Sequence, residues 1–141
     1  EALVLRVLQE EATRDRAVIQ THQRTSKDAT AAFRSIVRDL TTRWSGESGV
    51  LFSTLGTLAI HNNEYKKLYR SIYADFYNAL EEPLRRLNPS LSDSELLLRV
   101  RLITALIDGA PMQPLHDKNK VASKKVFLKR IQEHAESIAR T

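Results

Sequence analysis

Four tyrosines, Tyr65, Tyr69, Tyr73 and Tyr77, recur at every fourth residue. On a helix each such step drifts by about 40°, so the four side chains do not share one direction. Tyr69 and Tyr73 fall on the apolar stripe set by Leu68, Ile72, Phe76 and Leu80. They could carry hydroxyls into an apolar cavity or serve as plain core aromatics. Tyr65 and Tyr77 lie towards the edges of that stripe. His61 stands beside the pair Asn62–Asn63 and could offer a hydrogen bond to a ligand, or sit at a helix end as a surface or capping residue. Asp108 follows a long apolar run and directly precedes Gly109. A carboxylate there opposes the helix dipole, so it must be solvated or hydrogen-bonded, with a contact across an interface among the alternatives.

Catalytic and metal chemistry have little to stand on. The sequence contains no Gly-rich phosphate loop, no G-x-S-x-G, no H-E-x-x-H and no EF-hand loop. Histidines occupy positions 22, 61, 116 and 134, and none has a Glu three residues before it, as a di-iron bundle requires. The absence of cysteine excludes disulfides, thiolate metal sites and Cys nucleophiles. The expectation is a protein that is not an enzyme and uses no metal or cofactor. A net charge of +5 permits contact with nucleic acid or an anionic ligand. Yet Arg85–Arg86 and the group Lys118, Lys120, Lys124, Lys125, Lys129 and Arg130 are interspersed with acids or spread around a helix, which fits solvated faces. No Arg or Lys can be assigned to a pocket from the sequence.

The elements that would position these residues are helical. Apolar residues recur with a period near 3.6, and only 4 Gly and 4 Pro are present, few for a turn-rich β protein. The 141 residues, 42% hydrophobic and 28% charged, fit one globular domain. No apolar run reaches the roughly 20 residues of a membrane span, and Glu1 opens directly into an amphipathic pattern without a signal-peptide profile; the expected location is the cytoplasm.

Six helical segments follow from the periodicity. The first covers about 1–22 on the stripe Val4, Leu8, Ala12, Val18 and Ile19. The second carries Ala29, Ala32, Phe33, Ile36, Val37, Leu40 and Trp44, with Thr25 or Ser26 as cap and Asp28 in its first turn. Gly46 to Gly49 should end it. The third covers about 50–61, and Asn62 or Asn63 caps a fourth over about 64–87, whose final turn Pro83 should kink or loosen. Ser92 and Glu95 form a capping box for the fifth, which is apolar around most of its circumference and so needs cover on more than one side. The sixth spans about 118–139 with Asp117 as cap. Val121, Leu128 and Ala135, and likewise Lys124, Ile131 and Ile138, give it a heptad seam.

Two stretches carry a resemblance. Glu1-Ala2-Leu3-Val4-Leu5 resembles the segment that follows the DNA-binding head in TetR-family transcriptional regulators, and Leu102-Ile103-Thr104-Ala105-Leu106-Ile107-Asp108-Gly109 resembles the eighth helix of that family, where a leucine-rich run ends in Asp-Gly. Helix order and the break at Asn62–Asn63 agree along nearly the whole chain. The resemblance implies a TetR-like C-terminal helical bundle of about six helices as one effector-binding and dimerisation domain over 1–141. Within it, 1–24 would be a linker helix, 25–88 pocket helices and 92–140 dimerisation helices, the last two helices forming a four-helix bundle in a homodimer. It further implies a regulator, most simply a repressor, that releases operator DNA when a small molecule binds. The helix-turn-helix that reads DNA in this family is not among these residues, so operator contact would come only through a head outside them.

Carried over residue by residue, Phe33, Val37, Leu55, His61, Tyr69, Tyr73 and Phe76 would line the effector cavity. Ala105, Leu106, Gly109, Leu128, Ile131 and Ala135 would lie at the dimer interface. The effector would be partly apolar, and no membrane is implied. The competing expectation is a helical adaptor or scaffold domain without a ligand.

Overall fold

The computed structural model describes residues 2–112 and 124–141, and every regular element among them is helical. The order is α1 (Ala2–Thr25), α2 (Ala29–Trp44), α3 (Glu47–His61), α4 (Asn63–Leu87), α5 (Asp93–Gly109), a 3₁₀ turn (Ala110–Met112) and α6 (Lys124–Arg140). The expected all-α class therefore holds. Asp117 and residues 118–123 of the sixth predicted helix lie outside the described residues.

Local chemistry sets the helix starts. Asp28, rather than Thr25 or Ser26, caps α2: its extended backbone lets the carboxylate accept from the Ala31 N–H at 2.8 Å. Asn62 caps α4 by accepting from the Glu64 and Tyr65 N–H groups. Ser92 caps α5 through the Glu95 N–H, but Glu95 turns its carboxylate to Arg99 at 3.1 Å, so only one half of the expected capping box forms. The segment expected to separate α2 from α3 is much shorter than Gly46–Gly49. The third helix already begins at Glu47, and Gly49 is a buried residue within it. As expected, α4 continues past Pro83 to Leu87, with the proline ring buried.

The second helix occupies the middle of the bundle. It touches α1, α3, α4, α5 and α6, and Phe33, Ile36, Val37 and Leu40 are at most 1% exposed. The other helices surround it: α4 packs on α1, α3 and α5, and α6 on α2 and α5. Ile131, Ala135 and Ala139 form the seam of α6 that meets them. Arg34 grips Glu136 with two hydrogen bonds, of 2.6 and 2.9 Å. At the far end Asn88 donates to the carbonyls of Ala139 and Arg140, which satisfies the otherwise open end of α6.

This arrangement corrects part of the interface expectation. Ile131 and Ala135 are buried against the chain's own α2 and α5. The heptad seam does pack along other helices, but those helices belong to the same chain. Leu128 is half-buried. Ala105 is exposed and Leu106 and Gly109 are half-buried on α5. The outer side of α5 also leaves Leu98 and Leu102 about half exposed, at 50% and 48%.

Candidate ligand cavity

A partly open cavity of about 360 Å³ lies where α3, α4 and the end of α5 converge over the last residue of α2. The C-terminal residue of α2 supplies Trp44. One side of α3 supplies Gly49, Phe52, Ser53, Gly56, Thr57 and Ile60; α4 supplies Tyr69 and Tyr73, α5 supplies Asp108, and Met112 stands at the mouth. There the Ser53 hydroxyl donates to the Met112 sulfur at 3.4 Å. The helical period explains the wall. Positions 49, 52, 53, 56, 57 and 60 follow one face of α3, and positions 69 and 73 are successive turns of α4. Gly56 keeps this wall thin: a Cβ there would meet the Tyr69 ring at 3.5 Å.

The polar centre of the cavity is Asp108. The Tyr73 hydroxyl donates to its Oδ2 at 2.9 Å, which answers within the chain the question of where this carboxylate finds a partner. Burial raises the Asp108 carboxyl to about 7; the Tyr73 hydrogen bond works against that rise, and the charge of Asp15 adds to it. The same burial, with the negative charge of Asp108 beside it, drives the Tyr73 phenol far above its ordinary range. Tyr69 and Tyr73 pack ring to ring at 4.6 Å, and Tyr77 continues the row edge-on at 5.8 Å, with the Arg101 guanidinium 5.7 Å from its ring centroid.

The wall and floor meet in an aromatic cluster, with Trp44 5.5 Å from Phe52 and 5.0 Å from Phe76. Beneath it remains a void of only about 10 Å³, room for no more than a single water. On its other edge Trp44 is tied to α1: its Nε1–H donates to Asp15 Oδ2 at 2.8 Å. Arg43 donates to Asp15 Oδ1 at 2.8 Å and to Glu11 Oε2 at 3.0 Å, and Ser48 donates to the same Glu11 oxygen at 2.6 Å. Arg14 closes the group on Glu11 Oε1. The Ser48 hydrogen bond, with the Arg14 and Arg43 charges, holds the Glu11 carboxyl below the usual range despite desolvation. Asp15 is 1% exposed, and desolvation raises its carboxyl against the pull of Arg43 and Trp44.

Of the seven expected cavity residues, Tyr69 and Tyr73 stand in the wall. Phe76 lies in the packed layer below, against Trp44. Phe33, Val37 and Leu55 are core residues away from this cavity: the first two are buried on α2, at the floor of a separate groove between α2 and α6, and Leu55 is fully buried on the inner face of α3. His61 is exposed at the end of α3, and Ile60 takes the place on the wall. The sequence reading missed Trp44, Gly56 and Asp108 as wall residues, and the whole group around Asp15. A signal for the latter exists: Glu11 and Asp15 fall on the same 3.6-residue stripe as Leu8 and Ile19, where an acid needs a buried partner.

Among the described residues, no cluster of His, Cys, Asp or Glu could hold a metal ion, and no helix is long and apolar enough to cross a membrane. Comparison with protein families, with curated proteins and with solved structures finds no match to this chain.

Proposed function

We propose that the chain is the effector-sensing and self-pairing domain of a TetR-type transcriptional regulator. The observation that carries the reading is the cavity. Its volume of about 360 Å³ falls in the range of small-molecule sites, roughly 300–1,000 Å³. Its lining is mostly aromatic and aliphatic with a few polar tips, which is the usual composition of such sites. The order of elements supports the family: a long first helix, then α2, α3 and α4, which all contribute to the cavity, then a last pair.

Sensing requires that a ligand favour one helix arrangement over another. The cavity is well placed for that, because Trp44 belongs both to its wall and to the hydrogen-bonded group on α1. A ligand that displaces the Trp44 indole would disturb its bond to Asp15 and so the seating of α1, the helix that would lead to a DNA-reading head. Pairing would use the outer stripe of α5, Leu98, Leu102, Ala105 and Gly109, spaced four, three and four residues apart. Among the described residues, none outside its own turn of helix comes within 4 Å of the place of a Cβ at Gly109, which would let a second helix come close.

The reading is tested by native mass spectrometry of the protein and of Gly56→Leu, whose added side chain would fill the cavity. A small molecule retained by the first and lost from the second is the expected result. A bare protein in both, with no adduct at any ligand concentration, would leave the adaptor reading standing.

A further inference from the structure

We propose that the cavity selects an organic cation, an ammonium group carried on an apolar or aromatic body. The inference rests on the ligand-sensing reading and deepens it.

The wall brings three kinds of chemistry together. Trp44, Phe52, Tyr69 and Tyr73 present aromatic rings, whose faces attract cations. Asp108 supplies the one carboxylate among the described lining residues, and no described Lys, Arg or His shares the wall with it. Tyr73 engages Oδ2, and no described residue bonds Oδ1. The carboxylate is thus held in position with one oxygen free for a ligand. A cation here gains a charge partner in a half-buried setting lined by four aromatic residues. A carboxylate or phosphate ligand would meet repulsion from the ionised Asp108, with no basic side chain among the described wall residues to offset it. The positive net charge of the chain therefore does not set the sign of the ligand; the cavity carries the opposite local sign.

A cation also relieves the position of Asp108. The groups acting on it are Tyr73 on α4 and Asp15 on α1; Tyr69 and Tyr77 flank Tyr73, Arg101 lies against the Tyr77 ring, and the polar groups that α3 adds to the wall are hydroxyls. Asp15 opposes ionisation of Asp108, and the Arg101 guanidinium stacks on Tyr77. An ammonium ion in the cavity would stabilise the ionised form, so binding would release a proton where Asp108 is still protonated.

The test uses benzyltrimethylammonium and its uncharged carbon isostere, neopentylbenzene. Quenching of Trp44, the single tryptophan, reads the cavity directly, and calorimetry gives the affinity. The wild type at pH 8 should bind the cation about tenfold or more tightly than the isostere. Asp108→Asn should remove that preference, leave the isostere unaffected and retain cooperative unfolding. The cation's affinity for the wild type should rise with pH up to about 7 and then level off, and Asp108→Asn should abolish the dependence. Equal binding of both probes, indifferent to Asp108→Asn, would overturn the cation inference while leaving a ligand cavity intact. Binding of neither probe would overturn both.

Discussion

Asp108 is the residue at which stability and recognition pull apart. Its carboxyl is raised to about 7 in the fold from an ordinary value of 3.8. The folded state therefore holds a proton that the unfolded chain gives up. The fold has its full gain from the group below about pH 4, loses that gain progressively between about pH 4 and 7, and above 7 carries the full cost of a half-buried charge. Asp108→Asn retains an oxygen to accept from Tyr73 and removes the charge. It should stabilise the protein at pH 8 by on the order of 2 kcal/mol and by much less at pH 5, as urea denaturation at the two pH values would measure. An equal gain at both would mean that burial does not perturb this carboxyl. From the sequence, Asp108 was visible as a misfit at a helix end. Its partner was not, because Tyr73 lies 35 positions away and only the crossing of α4 and α5 brings them together.

Among the elements, α1 departs from a simple amphipathic helix by carrying acids on its buried side. The buried side of α1 carries Glu11 and Asp15 beside Leu8 and Ile19, and Arg43 answers both acids. Arg43→Leu would strand Asp15 in the interior with only the indole N–H for company. A loss of about 3 kcal/mol is expected in chemical denaturation, since removing one member of a buried pair leaves an uncompensated charge; a loss under about 1 kcal/mol would place the group at the level of surface ion pairs. The helices themselves were legible because the 3.6-residue period and the caps at Asn62 and Ser92 are local signals. Which side of a helix faces what is not local. Phe33 and Val37 read as suitable for a cavity and turned out to be core, since apolar type alone does not distinguish a wall from an interior. The Ile131–Ala135 seam was found on the right helix, but its partner helices were in the same chain.

At the scale of the whole molecule, the described helices bury one side of α5 and leave leucines on the other partly exposed. Leu96, Val100, Ile103 and Ile107 are buried, whereas Leu97, Leu98 and Leu102 remain 37%, 50% and 48% exposed. A helix apolar around most of its circumference calls for a second cover, and self-pairing along α5 would supply it. Leu102→Glu changes an exposed position and should leave the protomer folded, while placing an unpaired charge in the paired state. Sedimentation velocity should find dimers of the wild type and monomers of the variant with unchanged helical circular dichroism. A wild type that sediments as a monomer at all concentrations would remove this role of α5.

The central claim is that the cavity at Trp44, Tyr69, Tyr73 and Asp108 holds a small molecule. A ligand bound only by the folded state, at about 100 times its dissociation constant, adds roughly 2.7 kcal/mol of stability. Thermal unfolding of the wild type and of Gly56→Leu against one panel of apolar amines, neutral aromatics and aromatic acids tests the claim most directly. The account predicts at least one compound that raises the melting temperature of the wild type by several degrees and leaves Gly56→Leu unmoved. No shift with any compound, or equal shifts in both proteins, would contradict it.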